Sequence, residues 1–157
     1  MTPQHITLVQ TSFARVRPIA ATVARLFYHR LFELDPSLQR LFHDDMPAQG
    51  RKLMTMLGFI VAGLHHPEVI VPTIQDLGRC HAAYGVQEAH YATVGMALLW
   101  TLRQGLGAQF TPTVEAAWAE AYSWLADTMQ AAAAESADVA QSALVMTSAG
   151  SEERAWR

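Results

Sequence analysis

The sequence predicts a single all-α domain, and three observations predict it. Apolar residues recur at steps of three and four through most of the 157 residues, the spacing that gathers side chains on one face of a 3.6-residue helix. A capping side chain followed directly by proline occurs three times, a pairing that starts helices. Only one short run, Val69 to Ile74, has strand character, and Pro72 interrupts it. The length suits one domain and is too short for two ordinary ones.

Taken in order, Thr2-Pro3 opens a first helix whose apolar face is Ile6, Val9, Phe13 and Val16. Pro18 separates it from a second, with Val23, Phe27, Leu31 and Leu34 on one face. Asp35-Pro36 marks the next start, and Pro47 opens the segment before the stripe Leu53, Leu57, Ile60 and Leu64. The segment after Pro72 ends at Gly85, which can close a helix in the left-handed conformation. Tyr91, Val94, Leu98 and Leu102 form the next stripe. Thr111-Pro112 then starts the last helix, with Trp118, Ala121, Leu125 and Met129 on its face. The pattern fades from about Ala131. Residues 1–134 are therefore read as the folded domain and residues 135–157 as a loosely ordered Ala/Ser-rich tail, although alanine favours a few more helical turns.

Composition narrows the function classes. With 51% hydrophobic and 16% charged residues the chain is not of the disordered type. Eleven Lys and Arg against 14 Asp and Glu leave a net charge of −3, which gives no electrostatic argument for a nucleic-acid partner. Cys80 is the only cysteine, so no intramolecular disulfide forms. The N-terminus lacks the basic and apolar regions of a cleaved signal, and the longest apolar stretch, Leu57 to Leu64, is far short of the ~20 residues of a membrane span. A cytoplasmic protein without a membrane partner is expected.

Familiar enzyme signatures are missing: no GxGxxG, no GxxxxGK[ST], no HExxH, no GxSxG. His65 and His66 are adjacent and diverge on a helix, as a solvated helix end would have them. The segment PTIQDLGRCHAAYGV, residues 72–86, is more informative, because His81 shares a helix face with Leu77 and Tyr84. From the residues alone, His81 is either a neutral core histidine bonded to a carbonyl or a metal ligand whose other ring N–H is held by one.

LGRCHAAYGV, followed by HYATVG and AAWAEAY, resembles the proximal half of a globin; FYHRLFELDPSLQRLF, followed by QGRKLMTMLG, resembles its distal half. The resemblance covers roughly residues 4 to 131. It is to bacterial single-domain globins related to the globin module of flavohaemoglobins, and most of all to the Hell's Gate, neuroglobin-like type. It implies helices packed around a non-covalent haem b, with a short or absent D helix. It makes His81 the proximal iron ligand, Phe42 the aromatic against the porphyrin, and Tyr28 with Gln49 the distal pair. Leu53 would wall the pocket and Lys52 reach a propionate, while Leu77, Tyr84, Val86 and Tyr91 would line the proximal side. The ligands implied are O2, NO and CO.

Tyr28 and Gln49 also carry an argument from chemistry. A phenol O–H and an amide N–H act as pre-placed donors toward oxygen that acquires negative charge at a haem. Each such bond is worth roughly 1.5–3 kcal/mol in a dry pocket, and about 1.4 kcal/mol is tenfold in dissociation. Two donors therefore predict slow oxygen release. Tyr28 as a core aromatic with its hydroxyl at the surface is the competing reading. One departure from the family stands out: flavohaemoglobin modules place a glutamate on the last helix near the proximal histidine, and the matching position is Ala133, with Glu135 rotated roughly 200° away. Cys80 is read as a small packed hydrophobe ahead of a redox-sensing thiol, and Met54 and Met56 as core. The resulting expectation is a high-affinity oxygen-binding globin that removes nitric oxide with electrons from a separate reductase; oxygen storage or gas sensing is the alternative.

Overall fold

The computed structural model describes the backbone of residues 1–43 and 45–155, and the side chains of the same residues up to 146. Six α-helices follow one another: α1 (Pro3–Val16), α2 (Ala20–Leu34), α3 (Met46–Ala62), α4 (Pro67–Ala83), α5 (Glu88–Leu106) and α6 (Pro112–Ala155). Short 3-10 turns at Arg17–Ile19, Pro36–Leu41 and Gly107–Gln109 join them. Among the described residues there is no strand and no helix long and apolar enough to cross a membrane.

The caps behave as their chemistry requires. The Thr2 hydroxyl accepts from the His5 N–H at 3.1 Å, and the Thr111 hydroxyl from the Val114 N–H at 3.3 Å. Asp35 accepts from the Ser37 N–H at 3.1 Å, but it opens the 3-10 turn and not an α-helix. A fourth cap, Asp45 at the head of α3, accepts from the Ala48 N–H. Gly85 follows α4 with φ of +97°, the left-handed value that glycine tolerates.

The run Val69 to Ile74 is helical, inside α4. Ile70, Ile74 and Gly78 fall at steps of four and are the buried face of that helix, so tertiary burial overrides the β-branched composition. The helix carries Pro72 on its exposed side.

All six helices contribute to one core, where Val9, Val16, Leu31, Ile70, Ile74, Leu102 and Trp118 are almost wholly buried. The Trp118 Nε1–H donates to the Ser12 hydroxyl at 2.8 Å, and that hydroxyl in turn donates to the Leu8 carbonyl. A buried polar pair between α1 and α6 is thus satisfied. In backbone approach, α4 rests chiefly on α6. At Gly78 the backbones of the two helices meet so closely that a Cβ would run into the Met129 carbonyl.

The last helix does not end near residue 134. Its backbone stays helical through Ala155, past the Ser-Ala-Gly-Ser stretch, as the alanine content favours. Buried residues on it end at Ala132, and Val139 to Met146 are exposed. The part of the expected tail beyond 146 lies outside the described side chains.

Candidate functional site

The end of α4 presents a histidine with one nitrogen committed and the other available. His81 Nδ1 lies 2.8 Å from the Leu77 carbonyl, one turn back on the same helix. A carbonyl only accepts, so Nδ1 carries the proton and Nε2 keeps its lone pair in the neutral ring. Burial pushes the imidazole below its ordinary value, outweighing the hydrogen bond to Leu77 that raises it. A neutral, oriented imidazole with a bare Nε2 is the form that ligates a metal. The turn after it is fixed by the Val86 N–H, which donates to the His81 carbonyl at 3.0 Å.

A second cluster joins α2, the segment after it and α3. Tyr28 is buried on α2, and the Gln49 amide on α3 donates to its hydroxyl at 3.3 Å, a long bond. The Phe42 ring stands edge-on to Tyr28 with centroids 5.3 Å apart, and to Phe32 at 5.5 Å. Burial raises the Tyr28 phenol above its ordinary value, against the lowering effect of Gln49, so the group stays a phenol at neutral pH. Because its oxygen accepts from Gln49, its own proton is left to donate elsewhere. Tyr28 is therefore a buried ring whose hydroxyl is engaged by Gln49.

Several apolar side chains pack on the core yet keep part of their surface uncovered, among them Leu53 and Leu57 of α3, Leu77 of α4, Tyr91 and Val94 of α5, and Phe42. Residues 25–129 match the family model described as Globin. The chain belongs to the globin family. A flavohemoprotein of Xylella fastidiosa is 31% identical over 131 residues, which is 82% of this chain and 33% of that one. A flavohemoprotein of Rhodopirellula baltica is 30% identical over 130 residues, 81% of this chain and 32% of that one. This globin thus spans about a third of the length of the curated relatives it matches. Among solved structures, an engineered carbene transferase made from a candidate nitric oxide dioxygenase of Rhodothermus marinus is 27% identical. It superposes with a TM-score of 0.81 over 90% of this chain and 99% of its own.

The globin family and its flavohemoprotein members imply a haem cofactor, and the residues present fit one. The bare Nε2 of His81 suits the iron, and the partly uncovered apolar side chains suit a broad, flat, apolar ring. Among the described residues no group of three or more His, Cys, Asp and Glu forms an alternative metal centre.

Other expected site residues are less enclosed. Tyr84, the C-cap of α4, is 74% exposed, Val86 is partly buried, and Lys52 stands exposed on α3. Cys80 is exposed and not the packed hydrophobe expected, because the buried face of α4 is that of Ile70, Ile74 and Gly78. Met54 is buried and Met56 packs on the core as expected. One residue of this globin escaped the sequence reading. The Tyr122 hydroxyl on α6 donates to the Tyr91 carbonyl on α5 at 2.5 Å. Its ring joins Leu57, Leu98 and Trp118 around a small apolar void in the core. The only signal was its polar tip on an otherwise apolar stripe, which does not reveal a backbone acceptor 31 residues away.

Proposed function

We propose that this globin binds haem b through His81, holds O2 with high affinity beneath Tyr28 and Gln49, and converts nitric oxide to nitrate with electrons from a separate reductase. The bound haem supplies an iron that takes up diatomic gases and exchanges single electrons. Overall, one NO, one O2 and one electron give one nitrate ion.

The chain's own part is to position, polarise and exclude water. His81 offers Nε2 in a fixed orientation because the Leu77 carbonyl holds the opposite nitrogen. Gln49 donates to the Tyr28 oxygen, and this leaves the phenol proton for a bound ligand to accept. Such a donor favours ligands that gain negative charge, and burial among Phe27, Phe32 and Phe42 raises its worth by keeping water out. The observation that carries the proposal is the Gln49 to Tyr28 hydrogen bond, since it leaves a buried, un-ionised phenol free to donate.

The same geometry serves oxygen storage if no reductase acts on the protein. Nitric oxide consumption in air by the haem-loaded chain, supplied with electrons from cell extract, separates the two. Turnover over many haem equivalents supports dioxygenation, and a single stoichiometric burst ending in ferric haem leaves oxygen binding alone. Cytoplasmic location is part of this reading, since it requires a cellular reductase.

A further inference from the structure

Residues 85–87 carry the chain from the cap of α4 to the head of α5. On the α4 side, the Val86 N–H donates to the His81 carbonyl and the Gly85 N–H to the Ala82 carbonyl at 3.1 Å. On the α5 side, the Gln87 N–H donates to Nδ1 of His90 at 2.9 Å, and the His90 N–H donates back to the Gln87 carbonyl at 3.0 Å. The pair is a capping box with an imidazole in place of the usual Glu or Gln. Thr2, Asp45 and Thr111 cap α1, α3 and α6 through oxygen. Among the described residues, α5 is the helix capped by a ring nitrogen. That acceptor exists only while the ring is neutral, with its proton on Nε2. An imidazolium has an N–H at both nitrogens, which sets a donor against the Gln87 donor. It also puts positive charge in the first turn of α5, at the unfavourable end of the helix dipole.

We infer that His90 is a pH-sensitive latch on the turn that follows His81: the neutral ring holds Gln87, and the imidazolium lets Gln87 go and turns to the Asp35 carboxylate. Asp35 caps the 3-10 turn that leads to Phe42. That turn already meets the latch, because a Cβ added to Gly85 would stand 3.6 Å from the Leu41 Cδ2. Both Ser37 bonds fall on Oδ1 of Asp35, which leaves Oδ2 to receive an N–H. The Asp35 carboxyl is held below its ordinary value chiefly by Ser37, with the nearby charges of His90 and Arg40 adding to the effect, so it is ionised wherever imidazoles titrate. The other titratable groups on the elements meeting here are His81 and Tyr84 of α4, Glu88 and Tyr91 of α5, Tyr122 of α6 and Glu33 of α2. Glu33 is taken up by His29 and Arg30, and Glu88 adds a carboxylate to the ring's own turn. The latched arrangement leaves Nδ1 bare and the released one holds one proton more, so acid favours release. Only the consequence for haem rests on His81 as the iron's ligand: a loosened turn lets the end of α4 move, and His81 with it.

The test compares the native chain with His90→Gln, which keeps an acceptor for the Gln87 N–H but does not titrate, and with His90→Ala, which has none. The full, haem-loaded chain with carbon monoxide bound is followed by nuclear magnetic resonance from about pH 8 to about pH 5. The Gln87 amide signal is expected to move with the His90 ring nitrogens in the native protein and to stand still in His90→Gln. A Gln87 amide that ignores the His90 titration overturns the latch, and this result does not depend on which residue binds the iron. Haem transfer to excess apomyoglobin reads the consequence. At about pH 8, His90→Ala is expected to lose haem about fivefold faster than the native chain or His90→Gln, the typical worth of a helix cap. At about pH 5 the native chain is expected to lose haem as fast as His90→Ala, with His90→Gln still about fivefold slower. A native chain that tracks His90→Gln at both pH values overturns the switch, and equal rates in all three proteins overturn its hold on His81.

Discussion

Tyr28 and Gln49 are 21 residues apart in sequence and share one hydrogen bond in the structure. Tyr28→Phe removes the phenol proton but little volume, so oxygen dissociation in stopped-flow is expected to quicken about tenfold or more, the equivalent of ~1.4 kcal/mol. An unchanged rate would mean the hydroxyl does not meet the ligand. His81→Ala removes the nitrogen proposed to hold the iron, and purified protein is expected to lose haem or hold it loosely; a five-coordinate histidine spectrum in that variant would contradict the assignment. The site was legible to different depths. His81 and Leu77 sit at i and i+4, so helical periodicity alone foretells their contact. The Tyr122 bond to the Tyr91 carbonyl and the exposure of Cys80 depend on how α4, α5 and α6 lie on one another, and no local pattern encodes that.

Among the elements, α4 is the one whose placement matters most to the site and whose support is narrowest. Gly78 lies three residues before His81 and allows the backbone of α4 to touch that of α6. Gly78→Ala is expected to push the helices apart at a cost of about 1–3 kcal/mol, seen as a lower melting temperature together with weaker haem retention. A melting temperature at the native value would show that the contact yields freely. The helix stripes and proline-linked caps were legible because each is a local signal repeated along the chain. Val69 to Ile74 has strand-like composition, but there local composition and tertiary burial disagree, and the steps of four from Ile70 to Gly78 set the helix. The last helix outran its expected end because alanine sustains helix where no core is left to signal it.

Across the whole molecule the buried tyrosines set an alkaline limit. Burial and the nearby Tyr91 charge push the Tyr122 phenol far above its ordinary value, and burial raises Tyr28 and Tyr91 as well. Above about pH 10 the unfolded chain releases these protons and the folded chain retains them, so the unfolded state binds fewer protons and stability falls as pH rises. Tyr122→Phe is expected to flatten part of that fall in urea titrations from about pH 9 to 11; an identical slope would mean the phenol ionises as easily folded as unfolded. Narrow support under α4 has a consequence of another kind. A helix resting chiefly on one neighbour opens locally at less cost than one gripped from several sides. In haem-free protein the amides of Pro67–Ala83 are therefore expected to exchange with solvent sooner than those of α1 and α5, and to slow once haem is bound through His81, as proposed. The helix that supplies the iron's ligand would then be the part of the fold that the cofactor finishes.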